Sequence, residues 1–251
     1  MIFLKWVIRP YLYIKYFFQK LTKTGSFGKD QAVYIKTPYE NIGNRLKDGL
    51  FKYHVKQFHD SSCSVATVVS VVNTLLDKQG VLNGLPFTQQ DLLEKVKAAH
   101  WKERMSDEGY KGRRGLPLQT LYQVVKASLT AYNIPCELVE MVQTTGDAVR
   151  SKEVKQVLRH RLEQFEKKGN CLIISHFDQG SFLPELHIPH ISPVGGFDPE
   201  SGKVTLLDVD STQTYPYQIS FDTFYKGVSY NYNFMFRKFG YAEGGYIFIR
   251  L

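Results

Sequence analysis

The chain has 251 residues, enough to bury a full core as one domain or as one domain with an appendage. Its 43% hydrophobic and 14% aromatic content exclude a disordered or low-complexity chain, and no internal repeat is visible. The net charge of +8 is unevenly spread, with six of those positives in residues 1–29. The rest is nearly balanced and shows no basic stripe, which argues against nucleic acid as a partner.

Residues 1–29 hold Lys5, Arg9, Lys15, Lys20, Lys23 and Lys29 and no acidic residue. Aromatic side chains such as Trp6, Tyr11, Tyr13, Tyr16, Phe17 and Phe18 are interleaved with them. Such a segment suits the surface of an anionic membrane, with residues 1–24 as the contacting part. Its charges and Pro10 interrupt every apolar run, and no small-residue cleavage site follows. It is therefore neither a signal peptide nor a bilayer span. A helix packed on the core or docked on a partner, with snorkelling lysine stems, fits the same residues. Gly25-Ser26-Phe27-Gly28 reads as a hinge to a main domain over residues 30–251.

A short strand is predicted over residues 32–36, then a loop containing Pro38 and Gly43. The helical half begins with the apolar run that opens at Cys63 and continues through Val72-Asn73-Thr74-Leu75-Leu76, a buried helix. Helices follow over 88–99, with Thr88 as N-cap, and over 116–130 and 151–168, the last closed by Gly169. Gly109, Gly112 and Gly115 mark residues 106–115 as a loop. The character then changes: 135–142 is strand-like, strands are predicted at 171–175, 190–197, 203–210 and 246–251, and a short helix at 221–226. Helices first and strands after is an α+β fold rather than an alternating one.

Three residues stand in the order a thiol hydrolase needs. Cys63 is a candidate nucleophile because a thiol at a helix N-terminus feels the positive end of the dipole, which favours the thiolate. The polar Asp60-Ser61-Ser62 before it distinguishes it from an ordinary buried thiol. His190 opens one strand and Asp208 ends the apolar run of the next, with the turn around Pro199, Ser201 and Gly202 between them. Neighbouring antiparallel strands bring the carboxylate against the imidazole and fix its tautomer. Gln57, six residues before Cys63, is placed to donate its amide to an oxyanion. Cys136 and Cys171 read as buried thiols, so no disulfide framework is expected. His187 and His190, three apart, form one ligand pair of a zinc site, with His176 or Cys63 as possible additions. The second close ligand pair of such a site is missing, and no metal is assigned.

The set Gln57-x5-Cys63, Val72-Asn73-Thr74-Leu75, His190-x-Ser192-Pro193-x-Gly195-Gly196 and Leu207-Asp208-Val209 resembles phytochelatin synthase, a glutathione-acting branch of the papain-like cysteine peptidases. The similarity runs from about residue 50 to residue 251. It implies a two-lobed papain-like fold, with Cys63 on a helix of one lobe and His190 and Asp208 on the sheet of the other. It further implies a Cys-His-Asp hydrolase or transferase acting on glutathione or a related small thiol peptide. No cofactor is implied, and the resemblance admits metal-loaded thiolate peptides as substrates in a detoxifying role. The absence of a Cys-rich second half resembles the shorter bacterial type, which would act in the cytoplasm or at its membrane face. This chain departs from the family pattern at Ser64, where a Gly is usual, at residues 182–190 before the base, and at Ser211, where an Arg is common. Those departures bear on substrate more than on chemistry. A papain-like protease acting on another peptide or protein tail is the alternative, and a catalytically idle interaction module is the second. Arg113 and Arg114 are candidates to clamp a substrate carboxylate, and Tyr215 and Tyr217 around Pro216 to line the cleft.

Overall fold

The computed structural model describes residues 2–82, 84–232, 236–242 and 244–251, with side chains from Ile8 onward. Strands β1 (Val33–Tyr34), β2 (Leu138–Gln143), β3 (Cys171–Asp178), β4 (Pro189–Asp198), β5 (Lys203–Leu206), β6 (Tyr217–Ser220) and β7 (Gly245–Arg250) form one sheet. Their order is β1-β6-β5-β4-β3-β7-β2, and every neighbouring pair is antiparallel. Helices α1 (Ile2–Thr22), α2 (Arg45–Tyr53), α3 (Cys63–Lys78), α4 (Gln89–Lys95), α5 (Trp101–Arg104), α6 (Leu118–Ala131), α7 (Arg150–Lys168) and α8 (Phe221–Val228) complete the described elements. The arrangement is α+β.

The centre of the fold is α3, whose residues 63–76 are all buried. A helix apolar all round can only be an interior one, and each fully buried Val or Leu along it contributes roughly 1.5–3 kcal/mol. One turn after Cys63, the Thr67 hydroxyl donates to the Ile191 carbonyl (3.1 Å), which pins the head of α3 against β4. Further along, the Asn73 amide both donates to and accepts from the Phe87 backbone (2.8 and 3.0 Å), seating the loop that leads to α4. Thr88 caps α4 in a full capping box with Asp91.

The structure corrects several sequence expectations. The stretch before Cys63 is not only loop: α2 forms there, capped by Asn44 and buried along Leu46, Leu50 and Tyr53. Its nine residues carry Gly49 in the middle, which weakens the helical signal. The helix expected over 88–99 ends at Lys95. Ala99 and His100 then take left-handed φ values of 55° and 53°, turning the chain so that buried Trp101 donates its indole N–H to the Ser64 hydroxyl (3.0 Å). The expected strand over 203–210 stops at Leu206, and β6 was not anticipated. The expected hinge at 25–28 is a packed turn, with Ser26 buried and the Phe27 ring edge-on to Tyr16 at 5.1 Å.

A bulge on β4 sets the position of Asp208. The register with β5 slips between Val194 and Gly196, so the odd residue is Gly195. A Cβ there would lie 2.6 Å from the Leu207 side chain. Only glycine lets the chain carrying Leu207 and Asp208 pass this close to β4.

Candidate active site

Cys63 is the first residue of α3, where the N–H groups of the first turn have no intrahelical partner and the helix dipole is positive. The turn that delivers it is held by Ser62, whose hydroxyl donates to the His59 carbonyl (2.8 Å) and accepts from the His59 N–H (3.0 Å). His190, the second residue of β4, is buried, and its Nε2 lies 2.7 Å from Asp208 Oδ1. The Cys63 side chain lies close enough to the His190 ring to help hold it protonated. With Nε2 engaged by Asp208, Nδ1 is the nitrogen left for the thiol.

Asp208 is fully buried just past the end of β5, and its carboxylate is closely surrounded by donors. Besides His190, Oδ1 accepts from the Asp210 N–H (2.8 Å), while Oδ2 accepts from the Tyr217 hydroxyl (2.5 Å). Its backbone carbonyl accepts from the Lys56 ammonium (2.6 Å), and His54 Nε2 lies 3.0 Å from the same oxygen. Burial alone would raise the Asp208 pKa, but the charge and hydrogen bond of His190 outweigh it and hold the carboxyl down at about 2. Burial alone would likewise lower His190, and the Asp208 carboxylate overcomes it, moving the imidazole well above its ordinary value. The pair is an imidazolium–carboxylate at neutral pH.

Cys63 lies in the wall of a cavity of about 490 Å³. His190 and Asp208 are not part of that wall, so a ligand would reach the thiol without displacing the pair behind it. The wall is mostly apolar: Leu116, Ile188 and Ile191 come from the main domain, and Ile8 and Leu12 from α1. Gly115 joins them at a φ of +68°, where a Cβ would sit 2.8 Å from the Tyr241 hydroxyl. Tyr241, half-buried in the wall, has its pKa raised by burial and by the nearness of Cys63.

The structure separates the weaker candidates. Arg114 lines the cavity and contacts Ser61, His59 and Asp107. Arg113 is exposed and is not in the wall, because adjacent residues of an irregular loop face apart. Tyr215 is also exposed and outside it. Tyr217 does not line the cleft; it is buried on β6 and orients Asp208. Gln57 is half-buried, tied through its N–H to the Val209 carbonyl (2.7 Å), and its Oε1 is buried without a hydrogen-bond partner. It is not in the cavity wall either.

His176, which the sequence offers only as a possible addition to a zinc site, stands in the cavity instead. It is buried on β3, lines the cavity beside Tyr241 with ring centroids 5.8 Å apart, and neither ring nitrogen makes a well-formed hydrogen bond. Every residue of β3 is buried, so no alternation in the sequence marks which ones face the cavity.

A sequence profile described as phytochelatin synthase matches residues 46–240, from the start of α2 to the approach to β7. The chain belongs to the phytochelatin synthase family. No curated protein matches it. Phytochelatin synthases are papain-like enzymes, and glutathione-related acyl transfer is the chemistry the family suggests. The family is not known to need a cofactor. Among the described residues of this phytochelatin synthase-family chain, no group of three or more His, Cys, Asp and Glu side chains could hold a metal ion. Instead His187 is engaged by Asp178 (Nδ1 to Oδ2, 2.6 Å) and His190 by Asp208. Cys63, Cys136 and Cys171 are all free.

The buried histidines predict how stability responds to acid. Burial holds His176 down at about 4, and burial together with the Lys56 charge holds His54 there as well. In the unfolded chain both ionise near ~6.5. Between these values the unfolded state binds more protons, so stability falls as pH drops from about 6.5 to about 4. The slope is up to ~1.4 kcal/mol per pH unit for each histidine. His190 is protonated in both states over this window and adds no slope. Urea melts across it check the fall, and His176→Gln halves the slope; a flat profile contradicts neutral burial.

Proposed function

We propose that the protein performs cysteine-dependent acyl transfer through a thioester on Cys63, with glutathione or a related small thiol peptide as substrate. The observation that carries this reading is Cys63 in the wall of an open cavity with the His190–Asp208 pair close behind it. Cys63 and His190 rest as a thiolate–imidazolium pair, and Sγ attacks the peptide carbonyl carbon to form the C–S bond. Gln57 and the Cys63 backbone N–H receive the negative oxygen. The C–N bond then breaks, and the His190 imidazolium gives its proton to the departing amine. With glutathione, glycine leaves and a γ-glutamylcysteinyl group stays on Cys63. Water resolves the thioester in a peptidase, and the amine of a second peptide resolves it in a transferase.

Asp208 keeps the imidazolium oriented through the cycle. Arg114 at the cavity edge is the cation available to a substrate carboxylate. Metal-thiolate peptides would enter as substrate, with no metal resident in the protein, which is how a role in metal detoxification would arise. The mostly apolar wall favours one variation within the same chemistry, a different peptide or a protein tail bearing apolar side chains.

Thiol reactivity tests the reading. Burial raises the thiols of Cys136 and of Cys171, the latter to about 12. Iodoacetamide near neutral pH therefore labels Cys63 at least ~10-fold faster than either. Equal, slow labelling of all three contradicts the proposal.

A further inference from the structure

Helix α1 has three sides, and only one is occupied by the rest of the protein. Ile8, Leu12, Lys15, Tyr16 and Gln19 recur at helical spacing and are buried or half-buried. This inner side is pinned by the Lys15 ammonium donating to the Tyr230 hydroxyl (2.9 Å). It is also pinned by Gln19 Oε1, which lies 3.1 Å from His187, itself held by Asp178. The opposite side exposes Tyr13, Ile14, Phe17, Phe18 and Leu21, the last four at 69, 54, 64 and 83%. Between the two runs a flank of exposed cations, Arg9 and Lys20, extended by Lys23 just past the end of the helix, with no acid anywhere in residues 1–29.

We propose that this outer side docks the protein on an anionic lipid surface. A large apolar arc left open beside a one-signed flank marks an interaction site. Its bulky apolar and aromatic side chains fit the boundary between headgroups and acyl chains, and its cations fit anionic headgroups. No described helix is long and apolar enough to cross a membrane, so α1 lies in the interface. A second copy of this chain is the poorer occupant, because the two basic flanks would face each other without counter-charge. Residues 1–45 also precede the part of the chain that matches the family, so α1 is an addition to the catalytic domain. Ile8, Arg9 and Leu12 line the cavity that holds Cys63, so docking brings the mouth of that cavity to the bilayer surface. That consequence rests on the thioester reading; the docking itself does not.

Co-sedimentation of the full chain with phosphatidylcholine vesicles, with and without phosphatidylglycerol, tests the proposal. The expected result is binding only to the phosphatidylglycerol vesicles at low salt. Raising salt to ~0.5 M weakens that binding at least ~10-fold. The double variants Phe17→Ser/Phe18→Ser and Lys20→Glu/Lys23→Glu each weaken it by a similar factor, and their exposed positions leave the fold intact. Cys63→Ala binds like the unaltered protein, so a failure of the catalytic reading leaves this result standing. No binding at low salt, binding that both double variants leave unchanged, or self-association through α1 in place of vesicle binding overturns it.

Discussion

Replacing Cys63 with alanine is expected to abolish turnover, by ~10⁴-fold or more, while leaving the fold as it is. The loss is large because a nucleophile has no substitute: without Sγ there is no covalent intermediate, and the cavity only binds. The fold is spared because the change removes one sulfur at the first position of α3, next to an open cavity that accommodates the vacancy. Loss of peptide cleavage with an unchanged thermal midpoint meets the expectation, and Cys136→Ala serves as the control with full activity. Activity retained by Cys63→Ala would move the chemistry elsewhere.

The second large effect is expected at Asp208→Asn. The variant keeps the shape of the side chain and removes the charge that holds His190 protonated against its own burial. Turnover falls by ~10²-fold or more, since the ring loses the partner that fixes its orientation and tautomer. Two readouts distinguish this from a general weakening of the fold. The alkaline limb of the activity profile moves to lower pH, because burial now acts on His190 unopposed. The stability deficit also has a definite window. His190, raised in the folded state, contributes fully below about 6.5 and loses its contribution as pH climbs through its folded value. Asp208, lowered to about 2, contributes above about 4 and loses it as pH falls toward 2. The deficit is therefore greatest between about 4 and 6.5, where disrupting a buried pair of this kind costs roughly 3–5 kcal/mol. An unmoved alkaline limb contradicts the assignment.

The parts of the site that follow from order and spacing were legible in the chain. An apolar run with a thiol at its head predicts α3, and two strands joined by a short turn predict that residues near their far ends meet, as His190 and Asp208 do. What surrounds Asp208 was not legible. Tyr217 reaches it because β6 lies against β5, with Leu206 paired to Tyr217, and β6 is only four residues long. Lys56 reaches it from the chain after α2, a helix whose signal Gly49 weakens. The arginine pair could not be divided by sequence because an irregular loop has no period from which to read facing. The N-terminal segment allowed a packed helix and a membrane-surface helix as alternatives, and composition could not separate them. Packing on the inner side with the aromatic side left open makes the two compatible.

The most direct test of the central claim is intact-protein mass measurement after brief exposure to glutathione, on the unaltered protein and on Cys63→Ala, with released glycine assayed in parallel. The account predicts glycine release that Cys63→Ala abolishes, together with one γ-glutamylcysteinyl adduct on the unaltered protein alone. Release that persists in Cys63→Ala, or neither glycine nor adduct from a protein whose Cys63 labels no faster than Cys136 and Cys171, contradicts it.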